Sequence, residues 1–230
     1  MNGYKIEKYD CISSTNDYIK TKREERENLI VVAREQTKGR GTKGRSFSSS
    51  QGGVYLSKLT FYKDFSAKNA FLIMAGAAVA VCKTLQTFGL QPKIKWANDV
   101  FVDNKKICGI LIENVFSGNR VDSSIVGVGL NVCNALPVEL NDIATTMQES
   151  AQKTFAVEEV EKTLIAFLSQ EHTMQEYRSF LTFLGEEKTL IVGEEEKKAT
   201  LLSVDDDGAL WVGIEGKKEK FYSAEVSLRV

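Results

Sequence analysis

The stretch Gly39-Arg40-Gly41-Thr42-Lys43-Gly44-Arg45 carries three glycines, three cations and no acid in seven residues. Glycine lets backbone N–H groups approach an anion closely, and the side-chain cations offset its charge. Its letters fit several phosphate-binding patterns, and the context on either side decides among them. Gly39-x-Gly41-x-x-Gly44 has the spacing of a dinucleotide fingerprint, and Leu29-Ile30-Val31-Val32-Ala33 before it reads as a buried strand. Gly39 to Ser46 comes close to a P-loop, with Arg45 where the lysine belongs. Both motifs require a helix opening on the loop, so that its N-terminus meets the phosphate. Here Ser48-Ser49-Ser50-Gln51-Gly52-Gly53 is a turn, and Val54 to Phe61 alternates as a strand, with Tyr55, Ser57 and Leu59 on one face. A kinase glycine loop does lie between strands, but neither HRD nor DFG follows. What survives is a cationic glycine loop joining two strands.

Outward from this loop, Tyr4 to Cys11 reads as a strand, and Ser13-Ser14-Thr15-Asn16 offers N-caps for a charged helix from Asp17 to Glu27. Asn69 to Phe88 is an apolar, alanine-rich helix with Gly89 at its C′ position. Lys93 to Trp96 is a short strand leading to Ala97-Asn98-Asp99. Val100 to Val102, the pair Asp103-Asn104, and Ile107 to Glu113 read as a hairpin, with Lys105 and Lys106 just after the turn. Ser124 to Val132 is an apolar strand carrying Gly127 and Gly129, where a missing side chain lets something approach the backbone. Ala156 to Leu184 reads as mainly helical. Short β-like runs then follow at Leu190 to Val192, Ala199 to Val204, Ala209 to Ile214 and Phe221 to Val226, separated by turns at Gly193, Asp207-Gly208 and Gly216. Two domains are expected, residues 1–184 and a small β unit at 185–230.

The bulk numbers set limits on function. With 230 residues and 43% apolar content, a core of ordinary size is expected. The formal net charge of −1 gives no global field to recruit nucleic acid or a membrane, so any anion site must be local. Met1 to Asp10 has no apolar signal-peptide core, and the apolar run Ala70 to Cys82 is 13 residues, short of the ~20 a membrane span needs. Cys11, Cys82, Cys108 and Cys133 form no CxxC pair and read as scattered buried thiols in a reducing cytosol. His172, the only histidine, sits in a polar stretch away from the motifs and reads as a surface residue, which argues against a Ser–His or Cys–His hydrolase. A cytoplasmic protein with no membrane and no nucleic-acid partner is expected.

Further polar groups stand at the ends of other expected strands. In order, Ser14-Thr15-Asn16, Gln36, Gly39 to Arg45, Lys95-Trp96-Ala97-Asn98-Asp99, Lys106 to Glu113, Gly127-Val128-Gly129-Leu130-Asn131 and Ser227-Leu228-Arg229 resemble the motifs of biotin protein ligases, from about residue 9 to 229. The resemblance implies an α+β (mixed α/β) catalytic domain related to class II aminoacyl-tRNA synthetases, followed by an SH3-like β-barrel. It also implies a two-step reaction with ATP, Mg²⁺ and biotin. The biotin carboxylate attacks the α-phosphate of ATP, and a lysine of a biotin carboxyl carrier protein then takes the biotinyl group. The difficulty lies in bringing a carboxylate against a polyphosphate: two unit charges roughly 4 Å apart interact by ~4 kcal/mol at an effective dielectric near 20.

By the same resemblance, Ser14, Thr15, Asn16 and Gln36 would meet biotin's ureido ring, whose fixed donors and acceptor suit short polar side chains. Gly39, Arg40, Gly41, Thr42, Lys106 and Gly109 would complete the biotin site, with Lys106 and Arg40 as the catalytic cations. Arg40, Arg45, Phe47, Lys95, Asn98, Asp99, Lys106, Asn131 and Arg229 would serve ATP, with Asp99 positioning the metal. Three positions depart from the family pattern: Thr42 stands where arginine is frequent, Ala97 where proline is usual, and Phe47 where tryptophan is common. The Ala97 change is expected to loosen its turn. The motifs begin almost at the first residue, which implies a form without the DNA-binding domain of the family's repressors. Edge strands in this fold class could pair two copies as a homodimer. The alternatives are a lipoate (or other acyl acid) ligase using the same adenylation logic, and a non-catalytic biotin or nucleotide sensor.

Overall fold

The segments on either side of the glycine loop are strands, as the apolar run before it and the alternation after it predict. The computed structural model describes residues 3–229; Met1, Asn2 and Val230, the ends of the two expected domains, lie outside them. The chain runs β1 (Lys5–Ile12), α1 (Thr15–Thr21), β2 (Leu29–Gln36), β3 (Val54–Ser66), α2 (Phe71–Thr87), β4 (Lys93–Lys95), β5 (Asp99–Val102), β6 (Lys105–Ser117) and β7 (Arg120–Leu130). It continues with α3 (Met147–Ala151), α4 (Val157–Leu168), α5 (Met174–Phe180), β8 (Glu187–Val192), β9 (Glu195–Val204), β10 (Leu210–Ile214), β11 (Lys217–Phe221) and β12 (Val226–Arg229).

A seven-stranded mixed sheet has the order β1-β2-β3-β7-β6-β5-β4. Among the described strands, β1 and β2 are the one neighbouring pair that runs parallel, and this pair sets the site. Parallel strands end on the same side, so the segment after β1 lies beside the segment after β2, with Ile12 opposite Gln36. Thr37 N–H donates to the Ile12 carbonyl at 3.0 Å and Lys38 N–H to that of Ser13 at 2.8 Å, which draws the start of the glycine loop against the start of α1.

The two sheet faces have different tasks. On one, α2 is apolar all round and lies between the sheet and α4 and α5, with Ala75, Val79, Val81, Cys82 and Leu85 buried. Each fully buried valine or leucine contributes ~1.5–3 kcal/mol. Together with the 3₁₀ turn before it, Ala67–Thr87 is 21 residues and, by length and composition alone, apolar enough to cross a membrane. The 13-residue run therefore understated this helix, whose apolar surface is taken up mostly by the core of the fold. The other face carries α1 over a smaller cluster of Ile19, Leu29, Val31, Leu59 and Ile125.

The charged helix is shorter than expected. It stops at Thr21, Arg23–Glu25 forms a 3₁₀ turn, and Arg26 is left-handed with φ 52°. Between Ile19 and Leu29 no apolar side chain is available to hold a longer helix on the sheet. Two other expectations are corrected. The His172 side chain is only 1% exposed, and its Nε2 lies 2.9 Å from the Phe167 carbonyl at the end of α4, so a polar neighbourhood conceals an inward-turned ring. Cys82 and Cys108 are buried as expected, and burial pushes both thiols well above the usual range, but Cys11 and Cys133 are exposed.

The C-terminal residues form a second, five-stranded antiparallel sheet in the order β11-β10-β9-β8-β12, with β11 and β12 at its edges. The run Phe221 to Val226 is not one strand. Tyr222-Ser223-Ala224-Glu225 makes a turn in which the Glu225 carboxylate accepts from Tyr222 N–H at 2.6 Å, and this turn separates β11 from β12. Leu190, Leu201, Leu210, Val212 and Leu228 of this sheet join the main hydrophobic core.

Candidate active site

The site lies on the α1 face of the large sheet, beneath the glycine loop. A narrow cavity of about 90 Å³ is lined by Ser14, Thr15, Asn16, Gln36, Arg40, Gly41, Thr42, Arg45, Ser46, Phe47, Leu56, Asn98, Lys106, Gly109, Ile110, Leu111, Gly127, Val128 and Gly129. A wider one of about 480 Å³ adjoins it and shares Thr42, Arg45, Asn98 and Leu111. Lys95 and Asp99 line the wider cavity, together with Lys43 and Ser223, Ala224, Val226, Ser227 and Leu228 from the small sheet.

The inner end of the narrow cavity is polar and largely buried, and most of its side chains are joined by hydrogen bonds. Gln36 Oε1 accepts from Thr15 N–H at 2.8 Å and from the Thr15 hydroxyl at 3.1 Å, while Gln36 Nε2 donates to Ser49 Oγ at 2.9 Å. The Ser14 hydroxyl caps α1 by accepting from Asp17 N–H at 3.4 Å. Beneath them, the Ser57 hydroxyl lies 2.7 Å from Thr15 Oγ1 and 2.5 Å from Asn16 Oδ1. Asn16 Nδ2 donates in turn to Glu113 Oε2 at 3.0 Å. Ser57 was not among the expected site residues. Its signal was available, as a small hydroxyl between Tyr55 and Leu59 on the inward face of an apolar strand, which must find a partner when buried.

The two glycines of β7 allow these groups to come so close. A methyl at Gly127 would overlap the Asn16 amide, and one at Gly129 would sit 2.6 Å from the Phe47 ring. Phe47 thus packs over Gly129 and Gly109 of the sheet, edge-on to Tyr55 with ring centroids 6.4 Å apart.

The cations are arranged differently. Arg40 Nη1 donates to Asp17 Oδ1 at 2.7 Å and reaches Glu113 Oε1 at 3.4 Å, and Lys20 also pairs with that carboxylate at 2.8 Å. Burial pushes the Glu113 carboxyl up, but Lys20, Asn16 and Arg40 together outweigh it and hold the group below the usual range. This acid ends the apolar run of β6, where an unpaired carboxylate seeks a cation. Lys106 pairs with Asp99 at 2.6 Å across the β5–β6 hairpin. Burial lowers the Lys95 ammonium from its usual range; Asp99 opposes this, and Lys106 and Arg45 add to it. Arg45 donates to the Thr42 carbonyl and hydroxyl at 3.3 and 3.2 Å. Asn98 Nδ2 donates to the Ile110 carbonyl at 2.8 Å.

Three expected residues stand apart from the cavity linings. Gly39 lies at the root of the loop, where its carbonyl accepts from Phe47 N–H at 2.9 Å. Asn131 is buried beyond the hairpin, its amide spent on the Thr145 carbonyl at 3.2 Å and on Asn134 at 3.2 Å. Arg229 pairs with Glu196 at 2.6 Å on the small sheet. The turn at Ala97 is not loose. The residue is buried, and its carbonyl accepts from the Tyr177 hydroxyl at 2.9 Å.

A preorganised polar pocket and a row of cations, set on a mixed sheet with a small antiparallel sheet appended, define the class as an α+β fold with a cation-lined pocket. Residues 9–131 match the Biotin/lipoate A/B protein ligase family, and the chain belongs to it. It is 33% identical over 223 residues to the "Bifunctional ligase/repressor BirA" of Bacillus subtilis, a match covering 88% of this chain and 66% of that protein. The chain therefore spans just under two thirds of that relative's length. It is 34% identical over 108 residues to the "Biotin--[acetyl-CoA-carboxylase] ligase" of Paracoccus denitrificans, covering 46% of this chain and 45% of that one. Among solved structures, a biotin protein ligase from Aquifex aeolicus in complex with biotin and ATP superposes with a TM-score of 0.81 at 30% identity, covering 100% of this chain and 99% of that one.

Proposed function

We propose that this protein is an ATP-dependent biotin–protein ligase that activates biotin as biotinyl-5′-AMP and transfers it to a lysine of a biotin carboxyl carrier protein. The observation that carries the reading is the junction of the two cavities. Arg40, Arg45 and Lys106 line the narrow polar pocket, and Arg45 and Lys95 line the wider one beside it. A carboxylate in the first and a triphosphate in the second would meet among these cations.

In the first step a biotin carboxylate oxygen bonds to the α-phosphorus, the bond to the β-phosphate oxygen breaks, and pyrophosphate leaves. The substrate supplies the nucleophile, so the chain's part is positioning and charge stabilisation. Lys106 is the cation we assign to the α-phosphoryl oxygens, and Asp99 sets its position. Arg40 leaves Asp17 for the incoming carboxylate. In the second step the carrier lysine's amine attacks the acyl carbon, AMP leaves, and an amide forms.

Asp99 is the only carboxylate lining the wider cavity among the described residues. That donor set suits Mg²⁺, which keeps several waters and takes one or two carboxylates plus substrate phosphates. When bound there, the ion would neutralise charge on the phosphates.

Lipoate is the competing acid within the same family. The inner end favours biotin, because Thr15, Asn16 and Gln36 suit a ring with N–H and C=O groups. A dithiolane has no amide N–H or C=O with which to exchange hydrogen bonds with those side chains. Incubation with biotin, ATP·Mg²⁺ and a carrier domain is expected to add one biotin mass to a single lysine, with pyrophosphate released. Absence of both products overturns the proposal, and labelling by lipoate in place of biotin reassigns the acid.

A further inference from the structure

Lys43 is the cation of the glycine loop that the mechanism above does not use. It does not line the narrow cavity, and its side chain points across the wider one to the small sheet. There Nζ donates to the Val226 carbonyl at 2.9 Å and to the Ser227 hydroxyl at 3.0 Å, both on β12. No carboxylate pairs with it among the described residues, whereas Arg40 and Lys106 each hold an acid. Its backbone is left-handed, with φ 55° and ψ 39°, a region that long side chains seldom occupy and that needs support from the surroundings.

The loop's backbone is otherwise closed on itself. Gly41 N–H donates to the Arg45 carbonyl at 2.6 Å, Arg45 N–H to that of Thr42 at 3.2 Å, and Phe47 N–H to that of Gly39 at 2.9 Å. Such a segment moves as a unit unless side chains tie it down. Arg40 ties it on the α1 side and Lys43 on the opposite side. The anchor on that second side is itself fixed. Trp96 Nε1 donates to the Gly208 carbonyl at 3.0 Å, and Arg178 Nε donates to the Val204 carbonyl at 2.7 Å, fastening the small sheet to the β4–β5 turn and to α5.

We infer that Lys43 is a positioning residue that seats the glycine loop on β12, so that the C-terminal sheet forms part of the frame in which Arg40 and Arg45 stand. For catalysis the inference rests on the ligase reading; the seating itself does not.

The test compares Lys43→Met, Lys43→Arg and Ser227→Ala with the wild-type chain by two independent readouts. The first is amide hydrogen exchange at Gly41 and Phe47 without ligands. Lys43→Met is expected to speed it about tenfold, the factor that loss of a charge-assisted hydrogen bond corresponds to, and Lys43→Arg to restore it. The second is pyrophosphate release with biotin and ATP. Lys43→Met is expected to raise the KM for ATP about tenfold with kcat within about twofold, because only loop position is lost. In the Ser227→Ala background the Lys43→Met effect is expected to shrink. Unchanged exchange in Lys43→Met overturns the inference whatever the activity does. A fall in kcat that Ser227→Ala leaves fully multiplicative also overturns it, since Lys43 would then act on the phosphates directly. If the wild-type chain releases no pyrophosphate, the ligase reading falls, while the exchange data still decide the seating.

Discussion

The inner end of the pocket and the loop above it are both built from polar residues, and they are held in opposite ways. Thr15, Asn16 and Ser57 are buried, and their side-chain hydrogen bonds run into one another and on to Gln36 and Glu113. Breaking such a network leaves desolvated groups without partners, at about 1–3 kcal/mol for each. The cations of the loop stay substantially exposed, Arg40 with 40% of its side chain in solvent, and its pairs with Asp17 and Glu113 are separately weak. On the proposed ligase reading, recognition would be set before a ligand arrives, whereas the cations that would serve chemistry are held loosely enough for a ligand's own anions to take them over.

Three substitutions test this division. Lys106→Ala has the largest expected effect, a fall in biotin-dependent pyrophosphate release of ~10²–10³-fold, with biotin affinity by calorimetry nearly unchanged. An equal loss of affinity would erase the distinction between the two regions. Gly127→Ala acts on the other side. Its methyl displaces the Asn16 amide, and biotin affinity is expected to fall about tenfold or more while exchange in the glycine loop stays at the wild-type rate.

The smallest effect belongs to Glu113, which touches both regions through Asn16 and Arg40. Its folded carboxyl is held below the ordinary value of 4.5, so its contribution is present above that pH and is lost as pH falls through the lower folded value. With the group partly exposed, solvent screening keeps this to about 1 kcal/mol or less. The difference in urea midpoint between the wild-type chain and Glu113→Gln is expected to shrink as pH drops below 4.5; a difference that grows there contradicts the assignment.

Much of this arrangement was legible in the residues, because local periodicity and turn chemistry carry it. The strands on either side of the glycine loop, the Asp103-Asn104 hairpin and the Gly89 helix stop each follow from a few neighbouring letters. Ser14, Thr15, Asn16, Gln36, Arg40 and Lys106 meet around one cavity as their motifs implied. The remainder depends on contacts between distant segments, which no local pattern encodes. His172 turns inward because the end of α4 offers it a carbonyl, and nothing near position 172 announces that. The split between β11 and β12 depends on one carboxylate folding back on Tyr222. Lys43 reads as one more loop cation until β12, 183 residues away, is seen to receive it.

The β5–β6 hairpin has a consequence for how the molecule assembles. Asp99 and Lys106 are joined through a turn whose two central residues, Asp103 and Asn104, are both left-handed at φ 50° and 62°, the geometry that matches the twist of paired strands. Hairpins of this kind form in about 1–10 μs, and the closure they require spans only a handful of residues. The central acid–base pair of the site is thus available from a short local segment early in folding. The seating of the glycine loop has to wait until β12, the last strand described, has found its place. Fragments or slow-folding variants are expected to keep the hairpin's Asp99–Lys106 pair and to lose the loop's position first.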